Sequence, residues 1–171
     1  FLNRIFYLKG DAEAGTYVKY IHFEGFQFLH TTYTLGQIEA RVDTDGAILL
    51  ENAQYCRIAN CSFDNIGGYA LWLHLDSRHN DFGARLSYMD DTKVYTPGEK
   101  ASKLFPIQNR ITRNTVEHCG KIRYYGGGVH IDSRPASMAM EPGNYIGHNH
   151  FRDLSRNGIF LFRNQGGNVV E

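Results

Sequence analysis

The stretch 126–134, GGGVHIDSR, alternates two apolar residues, Val129 and Ile131, with an imidazole and a carboxylate, His130 and Asp132. Residues two apart in a strand leave the same face of the backbone, so His130 and Asp132 are expected side by side. A histidine beside a carboxylate is an acid/base element. Two carboxylates can hydrolyse a glycosidic bond, retaining the anomeric configuration at about 5 Å separation and inverting it at about 6.5–9.5 Å. Asp132 is the best single candidate; Asp76, Asp90, Asp91 and Asp153 are the possible partners. The expected catalytic set is Asp132, Asp91, Asp153 and His130.

The same alternation applies to residues 69–75 and 157–163. With Leu71, Leu73, Ile159 and Leu161 inward, Trp72, His74, Phe160 and Phe162 face outward. Aromatic faces stack on the apolar faces of sugar rings while polar groups at the rim take hydroxyls. Trp72, His74, Asp76, Arg134, Phe160, Phe162 and Arg163 therefore form the expected substrate-binding set, on an exposed groove. The competing expectation is that inserts fold over these rings as a satellite core. Arg134 and Arg163 stand just past strand ends, where a guanidinium can pair with a uronate carboxylate. That keeps a uronate lyase or epimerase open as an alternative, and Ca²⁺ enters as a cofactor only there, near Asp90 and Asp91; otherwise no cofactor or metal is expected.

The elements that must position these residues are short strands. Gly and Asn interrupt the chain throughout, and helical periodicity is hard to find. Anchors at Phe23, Ile58, Phe82, Ile111, Ile146 and Val170 are separated by 35, 24, 29, 35 and 24 residues. A second series, Ile48-x-Leu50, Leu71-x-Leu73, Val129-x-Ile131 and Ile159-x-Leu161, precedes anchors. A period in the twenties built of strands means a solenoid whose windings stack to bury their apolar faces. The spacing predicts an all-β, right-handed parallel β-helix of about six coils. Asn80, Asn109, Asn144 and Asn168 fall two residues before an anchor, and Asn114 and Asn149 three after. Stacked at the strand spacing, such amides would bond up a column, and Asn also tolerates left-handed turns. Residues 88–107 read as a loop flanking the groove.

Composition narrows the function classes. The 171 residues carry 18 basic and 18 acidic side chains, a balance that argues against a salt-dependent phosphate binder, so nucleic acid is not an expected partner. No apolar run is long enough to cross a bilayer. Cys56, Cys61 and Cys119 are an odd number without a CxxC pair, so small packed residues are expected rather than a disulfide framework. A single domain over 1–171 is expected. The start at Phe1 and the stop inside a strand-like pattern suggest a segment of a longer solenoid, whose remaining coils would be its partner.

The stretches VKYIHFEGFQF (18–28), AILLENA (47–53), CRIANCSF (56–63) and GGYALWL (67–73) resemble right-handed parallel β-helix carbohydrate-active enzymes. Within these the chain is most similar to the glycoside hydrolase family 141 type, which includes fucosidase and xylanase activities. Members often carry an Asp and a Gly-rich turn after the Gly-Gly-Tyr strand, where this chain reads YMDDTK (88–93). The resemblance implies that the outer sheet face forms the active-site groove. The expectation is a secreted or periplasmic glycoside hydrolase acting on a polysaccharide or oligosaccharide, with a non-catalytic glycan-binding solenoid as the reading from another class.

Overall fold

The computed structural model describes residues 2–11, 14–32, 46–74, 106–120, 126–132, 143–162 and 167–171, with backbone alone for Asp132 and Phe162. Among these the chain forms sixteen short strands and no helix, and so no helix long and apolar enough to cross a membrane. Sheet I stacks β1 (Phe6–Lys9), β5 (Gly46–Glu51), β9 (Tyr69–His74), β12 (Gly127–Asp132) and β15 (Asn157–Phe162), in that order. Sheet II stacks β3 (His22–Glu24), β7 (Arg57–Ala59), β10 (Arg110–Thr112), β13 (Tyr145–Gly147) and β16 (Val169–Val170). Sheet III stacks β4 (Gln27–Leu29), β8 (Ser62–Asp64), β11 (Thr115–Glu117) and β14 (His150–Arg152), and β2 (Val18–Lys19) pairs with β6 (Ala53–Gln54). Every strand pair is parallel. The chain visits sheets I, II and III in turn and returns to I beside its previous strand, an arrangement compatible with an all-β solenoid.

Parallel pairing at constant register turns the apolar anchors into continuous columns. Phe23, Ile58, Ile111, Ile146 and Val170 align in sheet II. Phe28, Phe63, Val116 and Phe151 align in sheet III, with the Phe28 and Phe63 rings stacked 4.7 Å apart. In sheet I, Ile48, Leu71, Val129 and Ile159 run beside Leu50, Leu73, Ile131 and Leu161. These columns supply most of one core cluster drawn from all three sheets. Burying a side chain of this size contributes about 1.5–3 kcal/mol, and no single winding could bury both faces of its own residues.

Sheet II pairs two of the expected anchors directly. Ile58 pairs directly with Ile111, 53 residues on, so the expected steps of 24 and 29 are a single circuit. Phe82 lies outside the described residues, and sheets I and II have five described strands each rather than six. Lateral register depends on where a strand returns, not on how far the chain wanders in between, because loop closure costs grow only logarithmically with length.

The corners carry the asparagine columns. The Asn109 amide donates to Asn144 Oδ1 at 2.9 Å, Asn144 to Asn168 Oδ1 at 3.0 Å, and Asn114 to Asn149 Oδ1 at 2.9 Å. Each Oδ1 also accepts a backbone N–H from the winding before, as Asn109 does from Cys56 and Asn114 from Cys61. Asn80 is outside the described residues. The left-handed backbone falls one residue earlier than the ladder amides: Gln108, Arg113 and His148 have φ near 55°, while the asparagines that follow them do not. The corner residue turns the chain and the next one ties it to the neighbouring winding.

Cysteine completes these columns. Cys56 and Cys61 occupy the ladder positions one winding before Asn109 and Asn114, and Cys119 sits at the equivalent place after sheet III. Each thiol meets the carbonyl two residues earlier, at 3.4, 3.2 and 3.1 Å. All three are buried and free, and burial pushes the Cys56 and Cys61 thiols up, so they are small packed donors rather than nucleophiles.

Candidate functional site

The outer face of sheet I holds two columns of unlike residues. The first runs Tyr7, Leu49, Trp72, His130 and Phe160 by strand register. Its rings touch in series: Trp72 and His130 are stacked, 5.1 Å apart and 6° from parallel, and His130 and Phe160 are 5.0 Å apart and tilted by 47°. Tyr69 leans on His130 at 4.8 Å, and His74 on Trp72 at 4.5 Å. The alternation that predicts a shared wall for Trp72, His130 and Phe160 therefore holds in the register.

Exposure differs from expectation. Trp72 is 3% exposed, His130 8% and His74 7%, while Phe160 is half-buried. Trp72, His130 and His74 are thus buried where the sequence predicts an open groove. Tyr7, on the edge strand β1, is 45% exposed.

The second column runs Lys9, Glu51 and His74. Asp132 follows Ile131, which is paired with Leu73, the residue before His74; Asp132 is itself paired with Phe162 on β15. Glu51 is the functional candidate that the sequence reading passes over. It is 1% exposed, its Oε1 lies 3.2 Å from the Lys9 ammonium, and its Oε2 accepts a 2.5 Å hydrogen bond from the Tyr7 hydroxyl. A buried carboxylate must be compensated in this way or neutralised. The signal was present in the alignment of Ile48-x-Leu50 with Leu71-x-Leu73, which sets Glu51 level with His74.

The glycines of the GGGVHID motif are spacers for this wall. A Cβ on Gly128 would lie 2.2 Å from the Gly158 carbonyl oxygen and 2.7 Å from the Phe151 ring. Gly128 lets Phe151 reach under β12 and keeps β15 at strand distance.

Of the other expected site residues, Asp76, Asp90, Asp91, Arg134 and Arg163 lie outside the described residues, and the side chains of Asp132 and Phe162 do as well. Asp153 stands apart from His130, at the exposed corner after sheet III, with φ of 50°. There it joins a surface network. His118 Nδ1 lies 2.6 Å from Asp64 Oδ1, and His118 Nε2 lies 3.5 Å from Asp153 Oδ2. Arg152 Nε lies 3.4 Å from Asp153 and 3.7 Å from Glu117. The His118 hydrogen bond holds the Asp64 carboxyl below its ordinary range. This network ties three windings of sheet III together and is separate from the sheet I wall.

Among the described residues no three His, Cys, Asp or Glu side chains converge as a metal ligand set. No family model, curated protein or solved structure matches the chain.

Proposed function

We propose that this protein is a right-handed parallel β-helix glycoside hydrolase that acts on a polysaccharide or oligosaccharide from the outer face of sheet I. The handedness rests on the chiral rule for crossovers between parallel strands, right-handed in about 98% of cases. One observation carries the functional reading: a column of touching rings, Trp72, His130 and Phe160, runs directly beside an ionisable column, Lys9, Glu51 and His74. Rings grip the apolar faces of sugars and the ionisable groups move protons. Asp132, one residue past the Ile131–Leu73 pair, is the acid that protonates the leaving oxygen. Polysaccharides are met outside the cytoplasm, so the protein belongs with secreted or periplasmic enzymes.

The test is release of reducing ends from a panel of fucosylated glycans, xylans and pectic polysaccharides, with Asp132→Asn as the inactive control. Turnover by the wild-type chain that disappears in Asp132→Asn supports the reading. No turnover on any member removes it. A second reading draws on the burial of Trp72 and His130: the wall is a satellite core with no ligand. In that case neither turnover nor retardation in glycan-containing gels is observed.

A further inference from the structure

We propose that the outer face of sheet II is a docking surface for a uronate-bearing polysaccharide, held by the guanidinium groups of Arg110 and Arg113 and by the stacked rings of Tyr20 and Tyr55. This face is distinct from the sheet I wall, so the assignment stands whether or not the hydrolase reading does. Strand register sets His22, Arg57, Arg110 and Tyr145 in one outward column. The corner that leads into the sheet carries Tyr20 and Tyr55, their rings stacked 5.5 Å apart and 21° from parallel, and the corner that leaves it carries Arg113. Tyr20 is 69% exposed and Tyr55 36%, and Arg110 and Arg113 are exposed as well.

Two features of this face work against stability. Arg57 and Arg110 are directly paired across neighbouring strands, and like charges so placed repel. Glu24 relieves Arg57 from 3.5 Å. Arg110 lies over the Tyr145 ring, 4.9 Å from its centroid, and among the described residues neither Arg110 nor Arg113 has a carboxylate within ion-pair distance. At the corner, Tyr20 and Tyr55 leave apolar ring surface in water, although the left-handed turn needs no aromatic residue: Gln108 fills the same place one winding on. An acidic sugar chain answers both features. Its carboxylates accept paired hydrogen bonds from guanidinium groups, and the apolar faces of its rings stack on phenol rings.

Charge is complementary across the face. Lys19, Arg57, Arg110 and Arg113 stand there against Glu24 and Glu171, in a chain whose 18 basic and 18 acidic residues balance. On sheet III the carboxylates Asp64, Glu117 and Asp153 are instead matched by His118 and Arg152. Nucleic acid carries a charge on every nucleotide and is held by many phosphate contacts at once. Two guanidinium groups without a carboxylate partner suit a glycan whose uronates are interspersed among neutral sugars.

Affinity electrophoresis of the full chain tests this, in gels that contain glucuronoxylan or the same polymer with its carboxyls reduced to alcohols. Glucuronoxylan should retard the wild-type chain, the reduced polymer much less, and added salt should weaken the retardation. The double variant Arg110→Gln/Arg113→Gln should bind glucuronoxylan at least about tenfold more weakly, with an unaltered circular dichroism spectrum and no loss of Tm, because a like-charge pair is relieved. Tyr55→Ala should bind about two- to tenfold more weakly. Equal retardation by both polymers, retardation by neither, or a double variant that binds as tightly as wild type overturns the inference. So does single-stranded DNA that retards the chain as strongly as glucuronoxylan, which would make the face a nucleic-acid binder. Reducing-end release from the glycan panel is a separate readout, and cleavage that persists in the double variant leaves the hydrolase reading standing.

Discussion

The corner columns and the sheet I wall are built on the same parallel register, yet they obey opposite rules of composition. At the corners like follows like: Asn109, Asn144 and Asn168 satisfy one another's amides and also the backbone of the winding before. On the wall, Leu49, Trp72, His130 and Phe160 follow one another in one column and Lys9, Glu51 and His74 in the next. A stacked fold rewards identical neighbours, since each residue then offers what its neighbour needs. A column of unlike, ionisable and aromatic residues gains no such mutual satisfaction, and the hydrolase proposal draws on that contrast.

The strongest way to break this contrast is to remove one ladder amide. Asn109→Ala would strand the buried Cys56 N–H and the Ala53 carbonyl, bonded at 2.9 and 3.0 Å. Each orphaned group costs about 1–3 kcal/mol, so urea unfolding should show a loss of about 2–6 kcal/mol. A loss below about 1 kcal/mol would mean that the ladder is decoration.

A smaller effect is expected from Gly128→Ala. The added methyl meets the Gly158 carbonyl and the Phe151 ring, and overpacking of this kind costs about 1–3 kcal/mol. Thermal unfolding measures it. A neutral result would show that β12 and β15 do not approach as closely as the wall requires.

Trp72→Phe sharpens the comparison from the other side. It keeps an aromatic ring against His130 but leaves part of a buried volume empty, so a stability loss of about 1–2 kcal/mol is expected. Loss of the indole face should weaken glycan binding several-fold, about 0.5–1.5 kcal/mol per aromatic contact, as read by affinity electrophoresis. Equal binding by the two proteins would favour the satellite core.

The smallest expected effect belongs to the sheet III surface network. Asp64 titrates lower in the folded chain because His118 bonds its carboxylate. It therefore contributes stability above its unfolded pKa of about 3.9, and that contribution is lost as pH falls through the folded value. Asp64→Asn should flatten the stability profile at acid pH by less than about 1 kcal/mol, because the pair is partly exposed and screened. Urea midpoints measured from pH 6 down to pH 2 would check this, and an unchanged profile would remove Asp64 from the network.

Much of this architecture is legible without coordinates. Period-two alternation identified the strands carrying Leu71, Val129 and Ile159, and the shared frame of Asn109, Asn144 and Asn168 announced a hydrogen-bonded column. Both signals are local: they depend on which residues stand two or three positions from an apolar anchor, and the backbone converts such offsets directly into faces and corners.

What lies between strands distant along the chain was not legible in that way. The pairing of Ile58 with Ile111 depends on where the chain returns after a long excursion, a decision made by lateral register that no spacing encodes. The cysteines as ladder members, the burial of Trp72 and His130, and the grip of Tyr7 and Lys9 on Glu51 likewise arise between windings. A strand's own residues dictate which side chains leave each face. Only the neighbouring strand, 44 residues away in the case of Tyr7 and Glu51, dictates what those side chains meet.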